Sequence, residues 1–296
     1  MQADNSEQEN FLGRCLMVLA MATFAIEDSV IKILSMTLPI GQILILLGLA
    51  GASIFVLLAL VFNKRIWTTD ILTWPMHLRV MSEIFGRIFY STALAFTPLA
   101  SSTMILQATP LVVVVGASVF FKEKVGVQRW IAVGTGLFGV FIIIQPTTSS
   151  FSILSILAVL GMLGFAGRDL ASRAVSKSIN AMTLGVHGFL SIALAGCFLS
   201  VYFDEPFVHP DVRAIWLLLL GSVLGAIGYS SIISAMRIGE VSAVTPFRYS
   251  RILFGLLLGV FLFGETLSAL QLVGVVLIIA SSFAVVYSNP NKSSQT

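Results

Sequence analysis

The chain has 296 residues, of which 57% are hydrophobic and 10% charged. A soluble domain of that length would lack the polar surface to cover itself, so the composition excludes an ordinary globular enzyme and points to a polytopic helical membrane protein. The net charge of +3 is small and dispersed over short loops, which excludes a nucleic-acid footprint and leaves a topology signal.

In chain order, Met1 to Asn10 is polar and acidic, without the basic region and cleavage site of a signal peptide, so the first helix is expected to stay in place. A helix needs about 20 residues to cross the hydrocarbon. Ten stretches qualify: 11–34, 40–62, 76–96, 99–121, 127–145, 153–174, 181–203, 213–236, 241–263 and 269–288. A count of eight or nine competes, because the third and ninth spans carry several charges. Trp67, Trp74, Trp130 and Trp216 fall near span ends, as interface anchors do. Cys15 and Cys197 lie inside apolar runs, which argues against a disulfide framework or a zinc site. Gly134-Thr-Gly-Leu-Phe-Gly139 spells a dinucleotide fingerprint but sits inside a span, not between a strand and a helix. It reads instead as a close-packing seam, as do Gly221 with Gly225 and Gly255 with Gly259.

Cations orient the spans. With the N-terminus inside, the inner segments hold Arg14, Lys64, Arg65, Arg79, Lys122, Lys124, Arg129, Arg173, Lys177, Arg237 and Lys292. The outer ones hold Arg213, and Lys32 if it snorkels outward, and the outer loop from Asp204 to Asp211 is acidic. The expectation is a multi-pass inner-membrane protein with both termini cytoplasmic.

The chain also repeats itself. Phe24-Ala-Ile-Glu27-Asp28-Ser-Val-Ile-Lys32 returns 141 positions later as Phe165-Ala-Gly-Arg168-Asp169-Leu-Ala-Ser-Arg173. Ala93, Ala100, Thr103 and Glu123 match Ala235, Ser242, Thr245 and Glu265 at an offset of 142. Charges at membrane depth are unfavourable by about 2.5–3.5 kcal/mol each on insertion scales, so a charged cluster present twice implies duplication around a shared interior. Each half, 1–150 and 151–296, holds five spans. An odd number makes the second half enter from the opposite face. Inverted repeats are the mark of secondary transporters, with the site at their interface.

These residues carry a resemblance. Ala93 to Ser101 reads Ala-Leu-Ala-Phe-Thr-Pro-Leu-Ala-Ser, followed by Pro110, Phe121-Lys-Glu123-Lys, Gly136-x-x-Gly139-Val140 and Pro146. The second half carries Thr245-Pro-Phe-Arg248-Tyr249-Ser-Arg251 and Phe263-Gly-Glu265. Over nearly its whole length the chain resembles the drug/metabolite transporter superfamily, in its EamA-type ten-helix branch. The resemblance implies a bacterial inner-membrane carrier of small organic solutes, with spans five and ten peripheral. The arginine that follows a Gln-Ile pair in span two of many relatives is missing here, where Gln42-Ile43 leads into Leu44 to Leu47. No substrate carries over from arginine-bearing relatives.

The candidate site is the set of charges at membrane depth. Glu83 and Arg87 have the spacing of an intrahelical pair. Arg168 and Asp169 point about 100° apart on a helix, so at least one needs a partner elsewhere, with Glu27 or Asp28 the first choice. Arg248 and Arg251 share a face and are assigned to an anionic solute group, the other reading being a headgroup contact, which suits Arg248 better. Tyr90 and Tyr249 supply hydroxyls and rings, and Phe24, Glu83, Arg87 and His187 complete the lining, although Glu83 with Arg87 also reads as a structural pair and His187 as a hydrogen-bonded interior histidine. Asp28, Asp169, Glu27 and Arg168 are assigned to gating or coupling, since membrane-embedded acids serve as proton relays. Glu123 and Glu265 are expected to cap or pair helix ends.

His77, His187 and His209 are scattered and no nucleophile pairs with a base, so no enzyme, metal or cofactor is expected. The expected protein is an all-α, ten-helix, inverted-repeat carrier working by alternating access, and a monomer. Its partners are the bilayer, a small anionic or zwitterionic metabolite (amino-acid-like, or vitamin- or nucleoside-like) and coupled protons. The competing reading is a membrane scaffold or a lipid-handling, flippase-like protein.

Overall fold

The computed structural model describes residues 2–120, 122, 126–144, 153–176, 179–238 and 244–287. Among them the chain is helical throughout. The helices are α1 (Gln2–Leu34), α2 (Ile40–Val61), α3 (Trp74–Phe96), α4 (Leu99–Leu106), α5 (Thr109–Phe120), α6 (Val127–Ile144), α7 (Ser155–Ala174), α8 (Ala181–Phe203), α9 (Val212–Ile238), α10 (Ser250–Phe263) and α11 (Ala269–Tyr287). Short 3₁₀ turns occupy Thr69–Leu72 and Thr245–Tyr249.

Among the described residues, five stretches are long and apolar enough to cross a membrane: Ile40–Val61, Leu99–Phe120, Ser155–Ser172, Ala181–Phe203 and Val212–Met236. The outside of the bundle is apolar, with Leu57, Leu60, Val201, Tyr202 and Phe261 all exposed. An apolar skin that wide is a liability in water and a requirement in lipid.

Local chemistry sets the helix ends. Pro75 opens α3, where its missing N–H has no helical partner to lose. The Asn180 side chain caps α8 by accepting from the Thr183 amide at 2.9 Å. Gly264, at φ 63°, ends α10 in the left-handed region and lets the Glu265 amide reach back to the Gly259 carbonyl at 3.0 Å.

The fourth apolar stretch is a broken helix. Pro110 cannot donate to the Leu106 carbonyl, and the Thr109 hydroxyl takes its place at 2.5 Å. The ninth breaks at the junction of its 3₁₀ turn and α10, between Tyr249 and Ser250. The breaks meet: Gln107 Nε2 donates to the Arg248 carbonyl at 2.9 Å.

Helices pack in four main pairs: α1 with α9, α2 with α8, α3 with α7, and α6 with α11. Of the expected packing seams, Gly139, Gly255 and Gly259 are close-packed, whereas a Cβ at Gly134 would meet nothing within 4 Å. A Cβ at Gly139 would lie 2.8 Å from the Gly274 carbonyl oxygen, and, outside the expected seams, one at Gly164 would lie 2.5 Å from the Gly86 backbone. Glycine is what allows α6 to approach α11, and α3 to approach α7.

Candidate functional site

Two positions differ from their sequence reading. Lys32 does not snorkel outward. Its ammonium donates to the carbonyls of Leu94 and Thr97 at 3.3 and 2.5 Å and lies 4.0 Å from Glu265. The last carbonyls of α3 have no helical partners, and a cation there is favourable. Arg79, counted among the inner-face cations, is only 4% exposed. It lies one helical turn before Glu83 and on the same face, so it is drawn inward with it.

Glu265 behaves as a cap. Its carboxylate accepts from the Leu99 and Ala100 amides at 2.6 and 2.9 Å, which places negative charge on the N-terminus of α4. The matching expectation for Glu123 lies outside the described residues.

At the centre, α1, α3, α7 and the broken ninth stretch bring the predicted charges together. Asp28, 1% exposed, accepts from the Tyr90 hydroxyl at 3.0 Å and from Arg251 at 2.5 Å. The Arg251 guanidinium also lies over the rings of Phe24 and Tyr90, at 5.5 and 6.0 Å. Arg87 sits between Glu27 at 3.8 Å and Glu83 at 4.0 Å, so the intrahelical pair exists but is shared.

The reading of Arg168 and Asp169 needs correction. They bond each other directly at 2.9 Å, because the long arginine side chain folds back across the angular step. The outside partner of Arg168 is Glu83 at 3.2 Å, not Glu27 or Asp28. Asp169 also accepts from Arg248 at 3.3 Å.

Four of these charges, Glu27, Glu83, Arg87 and Arg168, line a cavity of about 30 Å³ with Phe24, Phe189 and Tyr229 among others, whereas Asp28, Asp169, Arg248 and Arg251 do not line it. That volume suits one water, whereas metabolite pockets run to about 300–1,000 Å³. Contacts bridge both ends of the bundle: Gln42 exchanges two bonds with the Val208 backbone at 2.6 and 2.9 Å, and Asn180 donates to the Arg65 carbonyl at 2.8 Å.

Other candidates lie apart from the cavity. His187 bonds the Thr183 carbonyl at 2.8 Å and meets the Trp67 ring edge-on, a structural placement. Tyr249 is buried against Phe283. Tyr229 was missed, although it stands on the face of α9 marked by Gly221 and Gly225 at four-residue steps. Among the described residues no His, Cys, Asp or Glu cluster could hold a metal.

An all-helical, apolar-skinned bundle with a charged seam at its centre defines an integral membrane protein with a polar interior. The chain belongs to the EamA-like transporter family, whose model matches residues 11–145 and again 152–287. It is 26% identical over 257 residues to a riboflavin transporter of Vibrio cholerae, covering 85% of each chain. It is 22% identical over 284 residues to an S-adenosylmethionine uptake transporter of Rickettsia prowazekii, covering 95% of each. A crystal structure shares the fold with TM-score 0.62 at 18% identity, over 94% of this chain and 97% of the other. The protein is therefore a membrane transporter, not an enzyme, as the sequence resemblance implied.

Proposed function

We propose that this chain is a ten-helix carrier made of two inverted halves, 1–150 and 151–296, that moves a small anionic or zwitterionic metabolite across a bacterial inner membrane by alternating access. It acts as a monomer, with both termini cytoplasmic. The packing supports the two-half arrangement. Exchanging the halves at the repeat offset turns the α1–α9 pair into the α7–α3 pair, and returns α2–α8 and α6–α11 to themselves. Taking α4 with α5 as one span, and the turn at 245–249 with α10 as another, gives ten. Their breaks correspond at the same offset, and broken helices crossing near the midplane are where carriers bind solute.

One observation carries the reading. The halves are joined at the centre by two ion pairs, Asp28 with Arg251 and Glu83 with Arg168. A zwitterion can replace both: its carboxylate or phosphate takes the place of Asp28 on Arg251, and its cation takes the place of Arg168 on Glu83. A planar guanidinium accepts either anion in bidentate fashion. Arg248, freed from Asp169, adds a second anion contact. Asp28 and Asp169 then need a proton or the departing solute to stay neutralised, which makes them the coupling or gating acids, with Glu27 and Arg168 beside them. Phe24, Tyr90 and Tyr249 supply ring surface.

The relatives name the first substrates to try. Protein reconstituted into liposomes is expected to show saturable counterflow of S-adenosylmethionine or an amino acid, which carry a carboxylate and an ammonium, with uncharged riboflavin as the control for the charge assignment. Folded protein that moves none of these faster than empty liposomes would overturn the reading. The lipid-handling alternative has one observation to answer. The apolar groove between α5 and α7, about 280 Å³, is lined by Val112, Val119, Phe120, Leu163, Leu170 and small apolar neighbours. It offers no side chain for a headgroup, which favours the carrier.

A further inference from the structure

Among the described residues the buried charges do not balance. The central carboxylates are Glu27, Asp28, Glu83 and Asp169, and the arginines facing them are Arg87, Arg168, Arg248 and Arg251. Lys32 is accounted for by Glu265. Arg79 is left over. Among the described residues no carboxylate lies within ion-pair distance of it, and Glu83, one turn along α3, is engaged by Arg168 and Arg87.

Its contacts are neutral. Nε donates to the Ser172 hydroxyl at 3.1 Å, and Nη2 donates to the Tyr229 hydroxyl. Both hydroxyls spend their own protons elsewhere, Ser172 on the Arg168 carbonyl at 2.7 Å and Tyr229 on the Leu184 carbonyl at 3.0 Å. Their lone pairs are therefore turned toward the guanidinium. Nη1 is buried with no hydrogen-bond partner. Arg87 and Arg251 each leave Nε unbonded too, but both sit in ion pairs. Arg79 alone combines burial, an open donor edge and no counter-charge among these arginines.

A buried guanidinium without a counter-charge destabilises the fold, and a bound anion relieves it. Arg79 lies behind the cavity wall: Tyr229, whose hydroxyl it bonds, lines the cavity, Arg79 itself does not, and Ser172 on its other side is exposed.

We propose that Arg79, with the Tyr229 hydroxyl beside it, is the anion-recognition subsite of the transported solute, taking a carboxylate or phosphate on its open Nη1 edge. The inference rests on the carrier reading and deepens it. Binding at Arg251 or Arg248 requires an existing ion pair to break. Binding at Arg79 breaks none, so the acid group reaches Arg79 first and selects the solute before the central pairs exchange.

The test uses the purified full chain in detergent, with inorganic phosphate and acetate as probes. Wild-type protein is expected to show a saturable rise in Tm with either probe, beyond that from chloride at the same ionic strength. Arg79→Met is expected to abolish that rise and to raise Tm in anion-free buffer, because it removes an unbalanced buried charge. Arg79→Lys is expected to retain a weaker rise. No saturable rise in wild type, a rise that survives Arg79→Met, or a lower anion-free Tm in Arg79→Met would overturn the proposal. Failure of Arg79→Met to fold would likewise mark a structural arginine. A parallel arm replaces phosphate with phosphatidylglycerol. Stabilisation there that depends on Arg79 would assign the subsite to a lipid headgroup and overturn the solute assignment. Counterflow is scored separately. Flux without an Arg79-dependent anion effect sinks this inference alone, whereas that effect without flux of any solute sinks the carrier reading and with it the assignment of the Arg79 anion site to a transported solute.

Discussion

Asp28 is held by a tyrosine hydroxyl and a guanidinium on the same oxygen, so its two partners respond differently to substitution. Asp28→Asn removes the charge but keeps an oxygen that accepts from Tyr90. Arg251, only partly buried, has room to relax. The variant is therefore expected to stay monodisperse in gel filtration while its counterflow falls below that of wild type. Wild-type flux at every pH would make Asp28 a structural partner. Arg251→Ala is the harsher change, because it strands a carboxylate that is almost fully buried. Removing one member of a buried pair destabilises by about 3–5 kcal/mol. Denaturant unfolding should show that loss, and the double variant Arg251→Ala with Asp28→Asn should recover most of it. If the double variant is no more stable than Arg251→Ala, the pair is not the origin of the effect. Arg251→Lys keeps the charge and loses the fork, so it is expected to fold and to bind solute more weakly. At this scale much of the site was legible: Asp28, Glu83, Arg168 and Arg251 stood out because charge at membrane depth must be accounted for. Arg79 and Lys32 were misread for one reason. Both lie near span ends, where sequence depth equals interface depth, and only the tertiary fold shows which long side chains turn back inward. The signal for Arg79 was present in the four-residue steps from Arg79 to Glu83 to Arg87.

Between elements, the most consequential contact is Glu265 on the first amides of α4. One residue holds the end of α10, the start of α4 and Lys32 of α1 together. Glu265→Ala leaves two amides without their acceptor and the Lys32 ammonium without its nearby carboxylate, and loss of a helix cap destabilises by about 0.5–2 kcal/mol. Because Lys32 also loses its carboxylate, the expected effect lies at the upper end of that range. Glu265→Gln keeps one acceptor oxygen and should fall between the two. The measurement is Tm of the three proteins in the same detergent, and equal values would remove the cap from the account. The sequence offered both halves of this contact, a Gly-Glu pair after one apolar run and a Thr-Pro step before another, but nothing in it said that they meet. The helix break was legible in a similar, partial way. Pro110 marked the lost hydrogen bond, yet not that Thr109 would fill it or that Gln107 would reach Arg248 across the bundle. Those are properties of two chain segments crossing, and a one-dimensional pattern carries only the segments.

At the scale of the whole molecule, the inverted arrangement makes a demand that topology can answer. Two five-span halves put Met1 and Thr296 on one side of the membrane and the loop from Asp204 to Asp211, after seven spans, on the other. The structure sharpens the charge argument for which side is which. Arg79 and Lys32 drop out of the loop count, since both are engaged inside the bundle. What remains is Arg14, Lys64, Arg65, Lys122, Lys124, Arg129, Arg173, Lys177, Arg237 and Lys292 against Arg213. The bias that orients membrane proteins counts lysine and arginine in short loops near span ends, which these segments are. The packing agrees on the grouping of ends, because Lys32, Glu265 and the Gln42–Val208 clasp all gather at one end of the bundle, and Arg65 with Asn180 at the other. A reporter active only in the cytoplasm should therefore be active when fused after Thr296 and silent when inserted between Glu205 and Phe207. A reporter active only outside the cytoplasm should give the reverse. Both positions reporting the same side would break the inverted repeat, because no arrangement of two opposed five-span halves puts them together. A swapped but opposite pair would keep the repeat and overturn only the orientation. The insertion also probes the clasp, since it sits two residues from Val208, so counterflow of that variant shows whether the outer end must close for solute to cross.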